Sequence, residues 1–406
     1  MQSNYDQAHQ RLLVLLKKLR TNPELLRDYT EQILGFIEDG LVSIVEGHPD
    51  GHPERYIPHR PVIREGSATT KTRIVGDASA RDGKGPSLND CLEAGANLYP
   101  ELYAVLLRFR QHPITFTGDI VKAFLQIEIA EEDRNVVRFL WIKNPTDPHT
   151  DIVVLRWNRV AFGLTCSPFL LGATIKHHIR SLSGVSEEVV KKLERNLYAN
   201  GVLTSARDIP EAKKFISETV RIFSSHKMNM RKWITNDAEW RDWIKLEFPA
   251  GKPVLAERTP IIDLGPSKVL GVNWGPDQNV LIFDPQPIIQ IAREVGKRPT
   301  KRQLLSIPVN IFDPLGLIGP VVVQFNIMFH ELWRIKTGWN DQVPVFIAER
   351  WCKTMAYLRE LTHPKIPRCY EDGIAAVAYE LHLFCDASQS GFSVVAYVRK
   401  VLFQRH

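Results

Sequence analysis

The sequence predicts an α+β protein, and three observations point that way. Leucines at 12, 13, 15, 16 and 19 fall on one helical stripe. Runs such as Thr72-Arg73-Ile74-Val75-Gly76-Asp77 alternate as strands do. Further along, the two kinds of segment interleave, a pattern that taken alone equally allows an ordinary α/β domain.

The elements follow in order. Asn22-Pro23-Glu24 reads as N-cap, first-turn proline and a dipole-favouring acid, with Gly40 as a stop, so residues 1–55 are expected to form N-terminal helices. Residues 56–77 turn extended, with prolines at 58 and 61. A helix is expected over 101–111, where Leu102, Val105, Leu106 and Phe109 share a face, followed by a strand over 114–119. Strands are expected at 136–142 and 152–157. Ser167-Pro168 reads as N-cap and first turn of a helix through Ile179, and residues 208–223 carry Ala212, Phe215, Ile216, Val220 and Phe223 at helical spacing. Residues 237–262 look loop-rich and suggest a boundary, after which 268–274 resumes as strand. A basic cluster, Lys297 to Arg302, has the composition of a solvated surface or a nucleic-acid backbone contact. Residues 381–397 read as one β-hairpin.

Composition narrows the class. With 406 residues, 44% hydrophobic and 24% charged, the chain can bury more than one core. Its 52 Lys+Arg against 46 Asp+Glu leave a net charge of +6, which favours polyanionic partners without requiring them. The five cysteines, at 91, 166, 352, 369 and 385, are too scattered for a disulfide framework or a zinc knuckle, so a reducing compartment is expected. No run reaches the roughly 18 apolar residues of a membrane span, and the first residues lack a signal pattern. An intracellular, cytoplasmic location without membrane contact is expected, with the nucleus as the alternative.

Three phrases carry the chemistry. Residues 193–204 read as an apolar hairpin holding Tyr198-Ala199-Asn200-Gly201 at its tip, where Asn-Gly suits a tight turn. Upstream stand Thr117-Gly118-Asp119-Ile120-Val121-Lys122-Ala123-Phe124-Leu125-Gln126-Ile127 and Phe162-Gly163-Leu164-Thr165-Cys166-Ser167-Pro168-Phe169. From the residues alone, Asp119 could be a helix N-cap, Phe124 a core aromatic, Arg73 an exposed strand residue and Gly163 part of a turn before a helix.

Order, spacing and wording of these phrases resemble the reverse transcriptase region of BEL/Pao-type retrotransposon polyproteins. Tyr56-Ile57-Pro58-His59-Arg60-Pro61-Val62-Ile63-Arg64, Gly85-Pro86-Ser87-Leu88-Asn89-Asp90, Thr300-Lys301-Arg302 and Phe312-Asp313-Pro314-Leu315-Gly316 extend the resemblance. It implies a right-hand polymerase, with fingers and palm at 56–245, thumb and connection region at 246–370, and a truncated ribonuclease H-like stub at 371–406. It also implies an RNA-directed DNA polymerase that takes an RNA or DNA primer-template and deoxynucleoside triphosphates, using two Mg²⁺ ions held by three carboxylates.

By this resemblance Asp119 is a catalytic metal ligand, Arg73 and Lys71 contact nucleotide phosphates, Phe124 lies beneath the incoming sugar, and Gly163 lies under the templating pair. The family's paired aspartates are replaced by Asn200 and Gly201, and its usual Phe before Asp-Ala-Ser is Gly76. Catalysis is therefore expected to be impaired. Asp386 matches the first ribonuclease H ligand, but the 20 residues after it are too few for the rest of that site. No Asp-Thr-Gly or Asp-Ser-Gly marks an aspartic protease. The rival readings are a non-catalytic nucleic-acid-binding or subunit-like protein and, more remotely, an unrelated α/β binding domain.

Overall fold

The computed structural model describes residues 2–46, 53–63, 72–83, 85–145, 147, 149–247, 267–360, 365–371 and 376–402. Two amphipathic helices come first. Helix α1 (Tyr5–Arg20) buries Leu12, Leu15, Leu16 and Leu19, and α2 (Pro23–Glu38) buries Leu25, Tyr29 and Ile33. Leu13, expected on the buried stripe, is 45% exposed because it falls on the outer side of α1. The Asn22 side chain caps α2 by accepting from the Leu25 N–H, and Gly40, at φ +68, ends the segment.

These helices share a core with a short strand β1 (Val42–Val45), the hairpin β2 (His59–Ile63) with β3 (Thr72–Gly76), and two later strands. Helix α3 (Leu102–Phe109) and strand β4 (Ile114–Ile120) intervene before β5 (Arg138–Ile142) and β6 (Ile152–Trp157). An antiparallel sheet runs β1-β6-β5. Strand β5 starts two residues later than expected, because Glu131–Val137 forms a 3₁₀ helix. Inside this layer the His59 Nε2–H donates to the Leu140 carbonyl at 2.9 Å, leaving Nδ1 to accept from the Tyr29 hydroxyl at 2.6 Å. Phe139 and Trp141 flank the ring, and burial depresses its pKa to about 4.

The next unit consists of α4 (Ser167–Ser181), α5 (Glu187–Asn196), β7 (Leu197–Tyr198), β8 (Gly201–Ala206), α6 (Ile209–Ser224), β9 (Met230–Thr235) and α7 (Ala238–Glu247). Its antiparallel sheet has the order β7-β8-β4-β9. Helices pack behind it around Phe116, Ile175, Leu193, Phe215, Trp233 and Trp240. Two expectations are corrected. Ser167 lies inside α4 rather than capping it, and its hydroxyl donates to the Ala161 carbonyl. The loop expected from 237 begins instead with α7, where the Asp237 carboxylate accepts from the Trp240 N–H while Trp240 closes the core. Residues 248–262 lie outside the described residues.

The expected strand at 268–274 is a hairpin, β10 (Ser267–Val269) and β11 (Val272–Gly275), turning through Leu270 and Gly271 at φ +46 and +89. Strands β12 (Val280–Ile282) and β13 (Lys365–Pro367) complete that sheet. Between them run α8 (Gln286–Val295), α9 (Lys301–Val309), α10 (Gly319–Arg334) and α11 (Val345–Glu360), packed around Leu304, Phe325 and Trp351. Thr300 and Gln303 form a capping box on α9. In the basic cluster Lys297, Arg298 and Arg302 are exposed, and Lys301 alone is internal. Lys301 is buried with its Nζ 3.8 Å from the Trp333 ring and donates to the Thr337 carbonyl, while Arg298 donates to the Val343 carbonyl.

Arg368, just past β13, is fully buried. It donates to the Asn279 side chain and to the carbonyls of Phe109, His112 and Pro113, which ties this sheet to the base of β4. The chain ends in the expected hairpin, β14 (Ala378–Ala387) with β15 (Phe392–Val401), whose strands pair with each other alone among the described residues.

Candidate active site

Alternation along β4 directs Phe116, Gly118 and Ile120 into the helix-covered core and leaves Asp119 half-buried on the other face. Gly118 admits the close approach of a buried indole, since a Cβ there would stand 2.5 Å from the Trp233 ring. The N-cap alternative for Asp119 does not hold. It lies within the strand, and Lys122 precedes the short helix Ala123–Gln126.

Strand pairing places Asp119 directly opposite Gly201 on β8 and Arg231 on β9. The Ile120 N–H donates to the Asn200 carbonyl at 2.7 Å, so Asp119 lies beside residues 200 and 201 at one end of the sheet. The hairpin differs from its expected form. Tyr198 pairs with Gly201, so the two turn residues are Ala199 and Asn200, and the left-handed position, φ +53, is Ala199. Pairing with β4 draws Gly201 into the ladder and moves the bend one residue earlier. The Asp119 carboxylate leans over the glycine, where a Cβ would stand 2.8 Å from its Oδ1.

Burial raises the Asp119 pKa above its ordinary value, and the positive charge of Lys232 offsets part of that rise. Lys232 is left-handed, φ +56, at the point where the β4–β9 register shifts between Thr117 and Asp119. Such a bulge re-aims the side chains beside it. The sequence reading missed this cation, and no signal in the local pattern marks the bulge.

The donor set does not match a pair of Mg²⁺ ions. Magnesium takes hard oxygen ligands converging in near-octahedral geometry, and a two-metal site draws on several carboxylates. Here one carboxylate faces a glycine, and Asn200 supplies at most a neutral amide oxygen. Among the described residues no group of three or more His, Cys, Asp or Glu side chains is placed to hold a metal.

The remaining candidates lie on other elements. Phe124 is half-buried against the core behind the sheet, where its packing suffices to explain it. Arg73 is exposed on β3, opposite Val62 and without an ion pair among the described residues. Lys71 lies outside the described residues. Gly163, at φ +96, meets the β2–β3 hairpin backbone to backbone. A Cβ on Gly163 would stand 2.3 Å from the Gly76 carbonyl oxygen, and one on Gly76 would stand 2.7 Å from that of Phe162. The Asn89 side chain fastens this contact, donating to the Gly163 carbonyl and accepting from the Thr165 N–H, both at 2.9 Å. Gly76 appeared in the sequence as a departure from the family pattern; its partner was not foreseen. Asp386 is exposed on β14, accepting from the neighbouring Ala387 N–H.

This architecture is that of a reverse transcriptase-type right-hand polymerase. It matches a foamy viral protease-reverse transcriptase dRH in complex with double-stranded DNA, with a TM-score of 0.54 at 13% identity over 90% of this chain and 52% of that one. It also matches a foamy viral protease-reverse transcriptase in complex with an RNA/DNA hybrid, with a TM-score of 0.53 at 14% identity over 93% and 42%. The chain thus spans about half the length of these structures, and at such identity the likeness establishes the fold. Residues 300–405 match the family described as Pao retrotransposon-like RNaseH-like domain. That match covers the C-terminal quarter of the chain, and the likeness to the two structures bears on the fold. No curated protein matches it in sequence.

Proposed function

We propose that this chain is the polymerase region of a retrotransposon-derived RNA-directed DNA polymerase in which nucleotide addition is impaired. The observation that carries this reading is the pairing of Asp119 with Gly201, which leaves one carboxylate where the reaction calls for three. A net charge of +6 suits an RNA or DNA primer-template. Each 1.36 kcal/mol of lost transition-state stabilisation slows a reaction about tenfold, so a deficit of several kcal/mol gives roughly three to five decades.

Primer extension with deoxynucleoside triphosphates, in Mg²⁺ and separately in Mn²⁺, tests the reading. The unmodified chain is expected to extend on the order of a thousandfold more slowly than the Asn200→Asp/Gly201→Asp double variant. Either change alone recovers little, because the site acts as a unit and because the new Cβ at 201 requires Asp119 to turn aside. Asp119→Ala in the restored chain abolishes the gain. Extension by the unmodified chain at the restored rate overturns the proposal.

A second reading, a non-catalytic nucleic-acid-binding protein, has support in the undisturbed sheet. Phe116, Val202 and Trp233 stay buried around the altered residues. It predicts salt-sensitive primer-template binding with no rescue of extension.

A further inference from the structure

Asn200-Gly201 is the sole Asn-Gly pair in the sequence, and the fold sets it at the tip of the β7–β8 hairpin. Four features of that tip bear on the chemistry of the Asn200 amide. Its side chain is half-open to water and has no hydrogen-bond partner among the described residues. Gly201 carries no side chain to screen its backbone nitrogen, and packing keeps it bare, since a Cβ there would stand 2.8 Å from the Asp119 Oδ1. Only two pairs close the hairpin, Leu197 with Val202 and Tyr198 with Gly201, because β7 is so short. Ala199 holds a left-handed backbone, φ +53, a conformation that costs an alanine roughly 1–2 kcal/mol and so favours opening of the turn. Asn196, on the same hairpin arm, is the opposite case. It is buried, its Nδ2 donates to the Lys192 carbonyl at 2.7 Å, its Oδ1 accepts from the Arg108 Nε at 3.0 Å, and a leucine follows it.

We infer that Asn200 is a site of spontaneous deamidation, in which the Gly201 nitrogen attacks the Asn200 side-chain carbonyl and the chain acquires a second carboxylate beside Asp119. The bond from the Gly201 nitrogen to Cγ forms and the Cγ–Nδ2 bond breaks, so ammonia leaves with the proton that Gly201 gives up. Water then opens the five-membered imide at either carbonyl. Breaking the new bond restores the ordinary backbone with aspartate at 200; breaking the original peptide bond leaves an isoaspartyl link and a free α-carboxylate. No oxidant, metal or second protein enters the balance. Attack by a neighbouring group on the same chain has an effective concentration far above that of any external competitor. The aspartyl product is the Asn200→Asp chain, so ageing reverses one of the two replacements noted in the sequence. The inference does not depend on the polymerase reading.

Incubation of the full folded chain in heavy-oxygen water, followed by tryptic digestion in ordinary water and mass spectrometry, tests it. Cleavage after Arg195 and Arg207 yields one peptide, residues 196–207, that holds both asparagines. Fragmentation is expected to place the amide-to-acid mass gain and one solvent oxygen at residue 200, at least about tenfold more often than at Asn196. Part of the product is labelled by an isoaspartyl methyltransferase, and the rate rises as the pH is raised above neutral, because the attacking nitrogen must lose its proton. Gly201→Ala slows conversion by at least about tenfold, since the added Cβ crowds that nitrogen. Asn200→Gln keeps an amide but needs a larger ring, and it stops conversion without touching Gly201. A urea-unfolded sample of the same chain sets the clock. If half of that sample has converted while residue 200 of the folded chain has converted no more than Asn196, the hairpin protects the amide and the inference is overturned. Conversion without uptake of heavy oxygen, or equally fast in a folded Gly201→Ala chain, overturns it as well.

Discussion

Asp119 and Asp386 both stand on strands at positions that resemble first metal ligands, yet their surroundings could hardly differ more. Strand β4 has neighbours on both sides and a fully buried Phe116 touching Phe215 and Trp240. Strand β14 has one neighbour, and its apolar residues lie open, with Leu381 66% and Phe384 60% exposed. Pairing and packing hold the sheet around Asp119, and neither involves its carboxylate. The terminal hairpin has a complete ladder but no second layer, and a lone hairpin is marginal in water.

The sharpest way to break this comparison is to remove apolar bulk from both strands. Phe116→Ala is expected to cost about 3–5 kcal/mol of unfolding free energy, while Leu383→Ala, 61% exposed, changes it by less than about 0.5 kcal/mol. Urea unfolding measures both. Equal losses would mean that the hairpin is covered as the palm is.

A smaller effect tests whether the N-terminal layer shares the palm's cooperativity. His59 titrates near pH 6.5 in an unfolded chain and at about 4 when folded. The unfolded state therefore takes up the proton first. Stability should be full above about pH 6.5 and fall by roughly 3 kcal/mol as the pH drops to 4. In His59→Gln that part of the pH dependence should flatten. Parallel pH profiles for the two proteins, followed by urea midpoints, would show that His59 is not the group responsible.

The smallest effect compares the two carboxylates themselves. Burial disfavours the charged form of Asp119, so its contribution favours the fold below the ordinary carboxylate range and is lost as the pH rises through the raised value. Asp119→Asn should accordingly stabilise the chain at pH 7 by a few tenths to about 1 kcal/mol, a gain that vanishes near pH 3. Asp386→Asn, fully in solvent, should shift stability by less than that at either pH. Thermal melts at the two pH values decide, and a destabilised Asp119→Asn variant would point to a structural role for its charge beside Lys232.

Much of the frame was legible because it follows short-range rules. The Asn22 cap, the terminal hairpin and the burial of Phe109 and Phe215 follow from capping chemistry and periodicity. What escaped depends on tertiary pairing. The bend at Ala199 rather than Gly201 is imposed by β4, and Lys232 reaches Asp119 through a bulge that no local pattern announces. Lys301 reads as a surface cation until Trp333 and Trp339, more than thirty residues away, close over it. Gly76 looked like a lapse in packing and is instead half of a contact with Gly163.

That contact fixes how closely the β2–β3 hairpin sits on the turn at Phe162 and Gly163. Where side chains mediate a join, rotamer changes let two parts slide over each other in small steps. Backbone against backbone leaves no such slack, since the carbonyl of one glycine occupies the space a side chain would need on the other. On the far side of the seam Asn89 braces the turn itself, through its bonds to Gly163 and Thr165. A side chain at either glycine would therefore force the two segments apart, so the seam exists only while both positions stay bare.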